Sequence, residues 1–185
     1  RCPRRKSYLG KPVTPRAVIP LPMNESGANE RQVTHAPRGH ILSNTAVWSP
    51  DGEWLLFVAG EHYNCHPHIV RRDGSGLRKV ADRQGYRGVV EFLDVPDFHG
   101  GSSDVPLWSP DGGWIYYTAK VGESVELMRV SLTGENQQLT RTANGWLNYH
   151  SKFSPDGQWV VFGSNRTDTR QLYVMCAEGG EAKQI

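Results

Sequence analysis

A nearly identical stretch of eleven residues occurs three times in this chain of 185 residues. The three copies read VWSPDGEWLLF from Val47, LWSPDGGWIYY from Leu107 and KFSPDGQWVVF from Lys152. In SPDG, Pro presets φ at about −65°, Asp supports a turn through its side chain, and Gly accepts a positive φ. Each copy therefore predicts a type I turn closed by a glycine bulge, which joins two strands of a hairpin.

A second hairpin is predicted after each SPDG turn. Segments 68–81, 126–140 and 171–185 each read as a strand, a Gly-rich turn and a strand. Each repeat then holds four antiparallel strands, and four-stranded repeats of roughly 45 residues are typical of β-propeller blades. The near-continuous apolar run after each turn, such as WLLFVA, predicts that the second strand is buried on both faces.

The repeat predicts the organisation of the whole chain. We expect a basic tail or linker at 1–15 and an all-β propeller segment at 16–185. The propeller segment divides into a partial blade (16–40), blade 1 (41–81), an inserted loop (82–104), blade 2 (105–145) and blade 3 (146–185). The partial blade depends on the similarity of QVTHAPRGH (32–40) to QLTRTANGW (138–146); a strand-like linker is the alternative.

The number of blades is too small for a closed ring. Propellers use roughly four to eight blades, and an open arc leaves apolar faces and strand edges exposed. The chain is therefore either a piece of a longer propeller or a unit that pairs with other copies. We favour the first interpretation, a segment of a six- to eight-bladed ring.

Charge and composition exclude several classes of protein. Residues 1–16 carry six basic side chains and no acidic one, so the rest of this +2 chain is net negative. A net negative body argues against a nucleic-acid partner. No run approaches the roughly 20 apolar residues of a membrane span. The three cysteines, Cys2, Cys65 and Cys176, have unrelated spacings that indicate neither a disulfide framework nor a CxxC metal pair.

The repeat resembles that of TolB-like β-propellers. The resemblance rests on W/F-S-P-D-G-x-W followed by three apolar residues, and on the later LYV…GG…QI stretch. It covers roughly residues 45–185, and more weakly the chain back to Arg16. It implies a periplasmic or extracytoplasmic location. Similar blades also occur in prolyl-oligopeptidase-like peptidases and in oligogalacturonate lyases, so the resemblance implies the fold more specifically than the function.

The seven histidines are predicted to share one face of the propeller. In each blade, the loop between the second and third strands and the link to the next blade lie on the same face, opposite the SPDG turns. His35 and His40 fall in a link, His62 and His66 in the first such loop, His68 at the start of a third strand, His99 in the inserted loop, and His150 at the start of an inner strand. We expect this histidine face to be the functional one.

The densest cluster of possible metal ligands is EHYNCHPH (61–68). His66 and His68 are two residues apart, so in a strand they point to the same side. Imidazole and thiolate groups suit zinc and related transition metals. His66, His68 and His150 are therefore the candidate ligands for a divalent metal such as manganese or zinc. The alternative, which we favour, is that these histidines bond to backbone carbonyls and that the protein needs no cofactor.

A polar rim is predicted where the inner strands begin. His150 precedes the inner strand of blade 3. Its counterpart is Thr45 or Asn44 in blade 1 and Val105 or Asp104 in blade 2. Asn44, Asp104 and His150 are therefore the candidate ligand-binding residues around the channel. The alternative for His150 is a hydrogen-bonded residue of a blade link.

These features favour a non-catalytic scaffold that binds a protein or glycan partner on the histidine face. The sequence has no GxSxG elbow, no phosphate loop and no HExxH motif, and we predict no catalytic residue. Two alternatives stay open. One is a metal-dependent lyase of the oligogalacturonate type, and the other is the propeller domain of a larger prolyl-oligopeptidase-like hydrolase.

Overall fold

A computed structural model describes residues 32–35, 46–61, 64–82, 105–143 and 145–185. Within these ranges the chain forms twelve strands and no helix. The strands are β1 (Val47–Trp48), β2 (Trp54–Glu61), β3 (Asn64–Arg71), β4 (Arg78–Lys79), β5 (Leu107–Trp108), β6 (Trp114–Val121), β7 (Ser124–Ser131), β8 (Asn136–Gln138), β9 (Asn148–Phe153), β10 (Trp159–Ser164), β11 (Gln171–Cys176) and β12 (Lys183–Gln184). Accordingly, no helix of the described residues is long and apolar enough to cross a membrane.

The strands form three separate four-stranded antiparallel sheets. In each sheet the strands pair in chain order: β1 to β4 form blade 1, β5 to β8 form blade 2, and β9 to β12 form blade 3. The predicted four strands per repeat and the all-β propeller fold class are confirmed. The second strand of blade 2 is buried on both faces as expected, since Ile115 to Ala119 of β6 are all buried. In blade 3 the expectation holds for one face of β10 only, because Trp159 is exposed and Val161 is half-buried.

The SPDG residues form the same set of hydrogen bonds in each of the three blades. In blade 1, Ser49 Oγ donates to Asp51 Oδ1 at 2.6 Å and accepts from the backbone N–H of Trp54 at 2.9 Å. The backbone N–H of Gly52 donates to Ser49 O at 2.9 Å, and Gly52 has a φ of 70°. Blades 2 and 3 repeat these contacts with Ser109, Asp111, Gly112, Ser154, Asp156 and Gly157. The repeated sequence therefore encodes a turn.

The third strands begin earlier than the sequence indicated. We predicted that His66 lies in the loop after β2, but β2 and β3 pair continuously from Trp54↔Arg71 to Glu61↔Asn64. Only residues 62–63 separate the two strands. His66 is therefore part of β3, because the hairpin keeps pairing up to a very short connection. That prediction was wrong.

The hydrophobic core lies between the sheets, where the blades pack face to face. The cluster between blades 1 and 2 joins Leu56, Ile69 and Ala81 to Trp108, Ile115, Tyr117, Ala119 and Val130. The cluster between blades 2 and 3 joins Tyr116, Leu127 and Leu139 to Val160, Phe162, Tyr173, Met175 and Ala177. A sheet can bury both of its faces only where a neighbour packs on each side, as stacked repeats require. Blade 2 has such clusters on both sides.

A short segment before blade 1 also packs on that blade. Val33 lies against a cluster of Phe57, Ala59 and Val70. In the predicted alignment Val33 corresponds to Leu139, which packs in the equivalent cluster in front of blade 3. Val33 and Leu139 thus each pack on the blade that follows them. Most of that partial blade and residues 83–104 of the inserted loop lie outside the described residues, and the proposed boundaries remain predictions.

The cysteine interpretation needs a correction. The spacings indicated no disulfide framework, yet Cys176 at the end of β11 is disulfide-bonded. Its partner lies outside the side chains that the structure describes. Sequence spacing could not reveal this bond, because the Cα separation in the folded chain decides which cysteines pair.

Candidate functional site

His66 makes a close polar contact with Asp82 inside blade 1. Its side chain is nearly buried, and Nδ1 lies 3.2 Å from Oδ1 of Asp82, just beyond β4. The other oxygen of that carboxylate lies 3.2 Å from Lys79 Nζ. His66 therefore ties the third strand to the chain that leaves the fourth strand, a structural role that does not require a metal.

Glu126 occupies the same position in blade 2. The strand registers show this, since His66 pairs with Ala59 in blade 1 and Glu126 pairs with Ala119 in blade 2. In both blades the side chain reaches the chain just after the fourth strand. In blades 1 and 2, a side chain at this position therefore connects the third strand to the link that follows the blade.

The carboxylate of Glu126 is buried and fully hydrogen-bonded. It accepts bonds from Thr140 Oγ1, from the backbone N–H of Thr142 at 2.7 Å and from Thr142 Oγ1 at 2.7 Å. Asn148 Nδ2, from the inner strand of blade 3, donates to it at 3.1 Å. These bonds compensate for the desolvation of the carboxylate, which would otherwise be costly.

The network continues to the loop between β10 and β11. Asn148 Oδ1 accepts a hydrogen bond from Arg166 Nη2 at 2.8 Å. The guanidinium of Arg166 lies 4.3 Å from the ring centroid of Tyr173. Burial lowers the pKa of Arg166, although Tyr173 and Glu126 act in the opposite direction. Glu126, Asn148 and Arg166 thus connect blade 2 with a loop on the histidine face of blade 3.

Sequence analysis did not identify this network. The residues lie outside the repeated letters, and their partners are distant in sequence. One signal was available, because Glu126 interrupts an otherwise apolar strand, VELM. A charge in a strand buried on both faces predicts a hydrogen-bonded partner.

His68 contacts the backbone of its own strand. Its Nδ1 lies 2.8 Å from His66 O, and its ring stacks on Phe57 at a centroid distance of 5.8 Å. This contact matches the interpretation in which the histidines bond to backbone carbonyls. His66 and His68 are thus both engaged within blade 1.

His150 has the most unusual backbone among those predicted site residues that the structure describes. It is exposed on β9 and has a φ of 56°, which non-glycine residues rarely adopt. The pairing explains this φ: Tyr149 faces Gly163 and Lys152 faces Val161, so His150 and Ser151 together oppose one residue. His150 therefore sits in a β-bulge, and its ring meets Tyr149 edge to face at 5.4 Å.

The predicted metal ligands are spread over two blades. His66 and His68 belong to blade 1, whereas His150 belongs to blade 3. Among the described residues no group of three or more His, Cys, Asp or Glu side chains could hold a metal ion. These residues therefore do not fit a histidine metal site. Asn44 and Asp104 of the predicted rim lie outside the described residues, as do His40, His62 and His99.

Comparison with curated proteins finds uncharacterized relatives of which this chain covers only part. The chain is 29% identical over 167 residues to an uncharacterized peptidase, YuxL, of Bacillus subtilis, covering 71% of this chain and 23% of YuxL. It is 24% identical over 168 residues to the uncharacterized protein Atu1656 of Agrobacterium fabrum, covering 75% of this chain and 56% of that protein. The chain thus spans about a quarter of the length of YuxL and somewhat more than half of the length of Atu1656. No model of a protein family matches it.

Comparison with solved structures identifies propellers. TolB from Acinetobacter baumannii aligns with a TM-score of 0.55 and 18% identity, covering 76% of this chain and 31% of that one. A putative TolB from Agrobacterium tumefaciens aligns with a TM-score of 0.56 and 21% identity, covering 74% of this chain and 46% of that one. An oligogalacturonate lyase in complex with manganese aligns with a TM-score of 0.54 and 18% identity, covering 74% of this chain and 37% of that one. Identities this low establish the fold alone, and the chain therefore has a TolB-like β-propeller fold.

Proposed function

We propose that this chain is a non-catalytic binding part of a TolB-like propeller that recognises a protein or glycan partner on its histidine face. The observation that carries this proposal is His150, an exposed imidazole on an inner strand with a φ of 56°. Such a backbone costs about 1–3 kcal/mol and persists where the surrounding structure holds it in place, often at ligand sites. The imidazole can donate or accept hydrogen bonds, or carry charge.

The surroundings of His150 support a preorganised site. Asn148, two residues earlier on β9, is completely buried and bonded to both Glu126 and Arg166. The inner strand and the nearby loop are therefore fixed before any ligand arrives, which lowers the entropic cost of binding. We propose that Asn44 and Asp104 complete the rim in the other two blades.

The proposed location is periplasmic or otherwise extracytoplasmic. The disulfide of Cys176 supports it, because such bonds persist in oxidising compartments and are rare in a reducing cytosol. Alkylation under denaturing conditions, followed by mass spectrometry, should leave Cys176 unlabelled in protein purified from its native compartment. Labelling of Cys176 would argue against this location.

Equilibrium binding tests the proposed function. The chain is immobilised and titrated with panels of acidic oligosaccharides, neutral oligosaccharides and peptides. His150→Asn should weaken the strongest interaction at least tenfold, because Asn tolerates the positive φ but lacks the imidazole. Lys152→Gln, at an exposed position on the same strand, is the matched control and should bind normally. Equal affinities for both variants and the original chain would refute the role of His150.

A metal-dependent lyase is the first alternative. It is supported by the manganese-bound oligogalacturonate lyase among the structural neighbours. The described positions of His66, His68 and His150 do not form a metal-binding group, which weighs against it. Polygalacturonate is incubated with the chain and manganese or zinc, and unsaturated products are followed by ultraviolet absorbance. Metal-dependent turnover would replace the scaffold proposal by the lyase.

The propeller of a larger hydrolase is the second alternative. Its support is the similarity to the uncharacterized peptidase YuxL, of which this chain covers 23%. Sequencing the gene beyond both ends of the segment that encodes this chain distinguishes the hydrolase from the scaffold. An adjoining domain with a nucleophile elbow and triad residues would favour the hydrolase, whereas further blades alone would favour the scaffold or the lyase.

A further inference from the structure

The loop between β10 and β11 is longer than its counterparts in the other two blades. It spans residues 165–170, whereas only residues 62–63 and 122–123 separate the second and third strands of blades 1 and 2. Its sequence, NRTDTR, is entirely polar or charged and contains two arginines and one aspartate. Extra residues at one loop of a repeat often lie on the binding face of the protein, so this NRTDTR loop is a candidate for ligand recognition.

Hydrogen bonds hold the NRTDTR loop against the chain that enters blade 3. The backbone N–H of Asn165 donates to Leu147 O at 3.3 Å, and Asn165 Oδ1 accepts from the backbone N–H of Leu147 at 2.7 Å. The backbone N–H of Asp168 donates to Asn165 O at 3.0 Å, and Asp168 has a φ of 62°. The loop is therefore a defined turn with a fixed position beside the inner strand β9.

Arg166 extends from this loop back over its own blade. Its Nε donates to Ser164 Oγ at 3.1 Å, and its Nη2 donates to Asn148 Oδ1 at 2.8 Å. The guanidinium lies 4.3 Å from the ring centroid of Tyr173 and 5.5 Å from that of Phe162. These contacts fix the guanidinium but use only part of its five N–H donors.

Arg166 differs from Arg129, the other arginine that packs between blades 2 and 3. Both lie over an aromatic ring, at 4.2 Å from Trp114 for Arg129 and at 4.3 Å from Tyr173 for Arg166. Arg129 also forms an ion pair with Glu178 at 2.8 Å. Within the described part of the chain, Arg166 has neutral hydrogen-bond acceptors and no ion pair, and burial lowers its pKa. A half-buried cation of this kind favours binding of an anion.

The open end of blade 3 does not account for this unpaired charge. Phe162 and Tyr173, the rings beside Arg166, belong to the cluster that blade 3 shares with blade 2. The charge of Glu126 in blade 2 acts on Arg166. That carboxylate, however, already accepts hydrogen bonds from its own blade and from Asn148. The described residues of the two blades therefore leave Arg166 without a carboxylate of its own.

We propose that Arg166 binds the carboxylate of an acidic sugar on the histidine face. This inference rests on the proposed binding function of that face and specifies the ligand. A guanidinium can donate two parallel hydrogen bonds to one carboxylate. Thr167 and Thr169 are exposed beside Arg166, and their hydroxyl groups can bond to sugar hydroxyls. The NRTDTR loop contains no apolar residue, whereas protein interfaces are anchored mainly by large side chains such as Trp and Tyr. A sugar acid therefore fits the loop better than an acidic peptide.

An NMR titration of the full 185-residue chain tests the site directly. The arginine Nε–H signals are followed while sodium glucuronate or glucose is added at constant ionic strength. The two sugars differ only at C6, which carries the carboxylate in glucuronate. The signal of Arg166, assigned through its backbone connectivity, should shift saturably with glucuronate and stay unchanged with glucose. No saturable shift of Arg166 with glucuronate would overturn the proposal.

Two variants test the geometry of the site by calorimetry with glucuronate. Arg166→Lys should weaken binding about tenfold or more, because an ammonium group keeps the charge but cannot donate the parallel pair of hydrogen bonds. Arg170→Gln, which removes a positive charge from the same loop, is the matched control and should bind with nearly unchanged affinity. Equal losses in both variants would overturn the proposal, because glucuronate would then respond to the net charge of the loop.

The outcomes separate this inference from the proposed function. A partner that His150→Asn weakens and Arg166→Lys does not would overturn the role of Arg166 and leave the proposed function intact. A saturable glucuronate shift of Arg166 that persists in His150→Asn would support the sugar-acid site even if the role of His150 were refuted. A glutamate-rich peptide that shifts the Arg166 signal at lower concentrations than glucuronate would overturn the inference, because the site would then take an acidic peptide.

Discussion

The two blade junctions use the same backbone positions with different chemistry. Ile69 pairs with Leu56 in blade 1, and Arg129 pairs with Tyr116 at the corresponding place in blade 2. Ile69 is fully buried in an apolar cluster between blades 1 and 2. Arg129 is almost as deeply buried, but it forms an ion pair with Glu178 of blade 3. Apolar packing therefore suffices around Ile69 in the first junction, whereas Arg129 in the second needs matched polar partners.

Arg129 is satisfied on several sides. Its Nη1 lies 2.8 Å from Glu178 Oε2, and Nε and Nη2 donate to Gln137 Oε1 at 2.8 and 2.6 Å. The guanidinium also lies 4.2 Å from the ring centroid of Trp114. Burial lowers the pKa of Arg129, but the hydrogen bonds to Glu178 and Tyr116 outweigh this, and the pKa is raised. The charge is thus retained inside the junction.

The largest expected effect comes from removing one partner of the polar junction. Arg129→Ala should lower the free energy of unfolding by about 3–5 kcal/mol, because it removes packing and leaves buried polar groups unpaired. Chemical denaturation measures this change. Arg129→Met combined with Glu178→Gln is the matched control and should recover most of the loss, since neither partner then carries a buried charge. A double variant as unstable as Arg129→Ala would show that charge pairing is not what the junction requires.

A substitution in the apolar junction should lower the free energy of unfolding by a similar or smaller amount. Ile69→Ala should lower the free energy of unfolding by about 2–5 kcal/mol through lost burial and the cavity it leaves. Ile69→Val should cost about 0.5–1.5 kcal/mol, because it removes a single methylene group. The same denaturation experiment at low and high salt should give equal losses for Ile69→Ala. A strong salt dependence would contradict an apolar environment of Ile69.

The difference between the junctions also marks what the sequence could reveal. The SPDG turns, the four strands per repeat and the propeller fold were predictable because they depend on local preferences and a period. The role of Arg129 was not, because its partner Glu178 is 49 residues away and belongs to another blade. The His66–Asp82 contact was likewise missed, since the hairpin register that places His66 in β3 is not visible as a motif.

Of the candidate site, the sequence indicated the residues but not their environment. His150 was predicted beside an inner strand, and it lies on β9 as an exposed residue. Its positive φ arises from a register shift between Val161 and Gly163, which only the strand pairing shows. The buried Asn148 beside it depends on contacts from blade 2. Isolated residues are thus predictable, whereas their support by other blades is not.

Glycine substitutions compare the two junctions at their turns. A Cβ added to Gly157 would lie 2.8 Å from Cγ of Pro110 across the polar junction, whereas a Cβ added to Gly112 would lie 3.7 Å from Cδ of Pro50 across the apolar junction. A Cβ added to Gly52 would meet no atom within 4 Å. All three have a positive φ, so Ala should cost each about 1–2 kcal/mol. Gly157→Ala should cost a further 1–3 kcal/mol or so through overpacking. Thermal unfolding of the three single variants measures the differences, and equal losses would contradict the close approach.

The smallest expected effect concerns the SPDG turn of blade 3, which lies at the polar junction. A hydrogen bond from Ser154, together with the backbone N–H of Gln158, holds the pKa of Asp156 below its usual value. A lowered pKa in the folded state stabilises the protein above the unfolded pKa of about 3.9, and this contribution is lost as the pH falls through the folded pKa. Ser154→Ala should therefore raise the pKa of Asp156, as followed by NMR titration of its carboxyl carbon. Thr167→Ala, in a loop between β10 and β11, is the control and should leave that titration unchanged. An unaltered pKa in Ser154→Ala would show that the hydroxyl does not stabilise the carboxylate, and the turn would then owe its geometry to Pro and Gly alone.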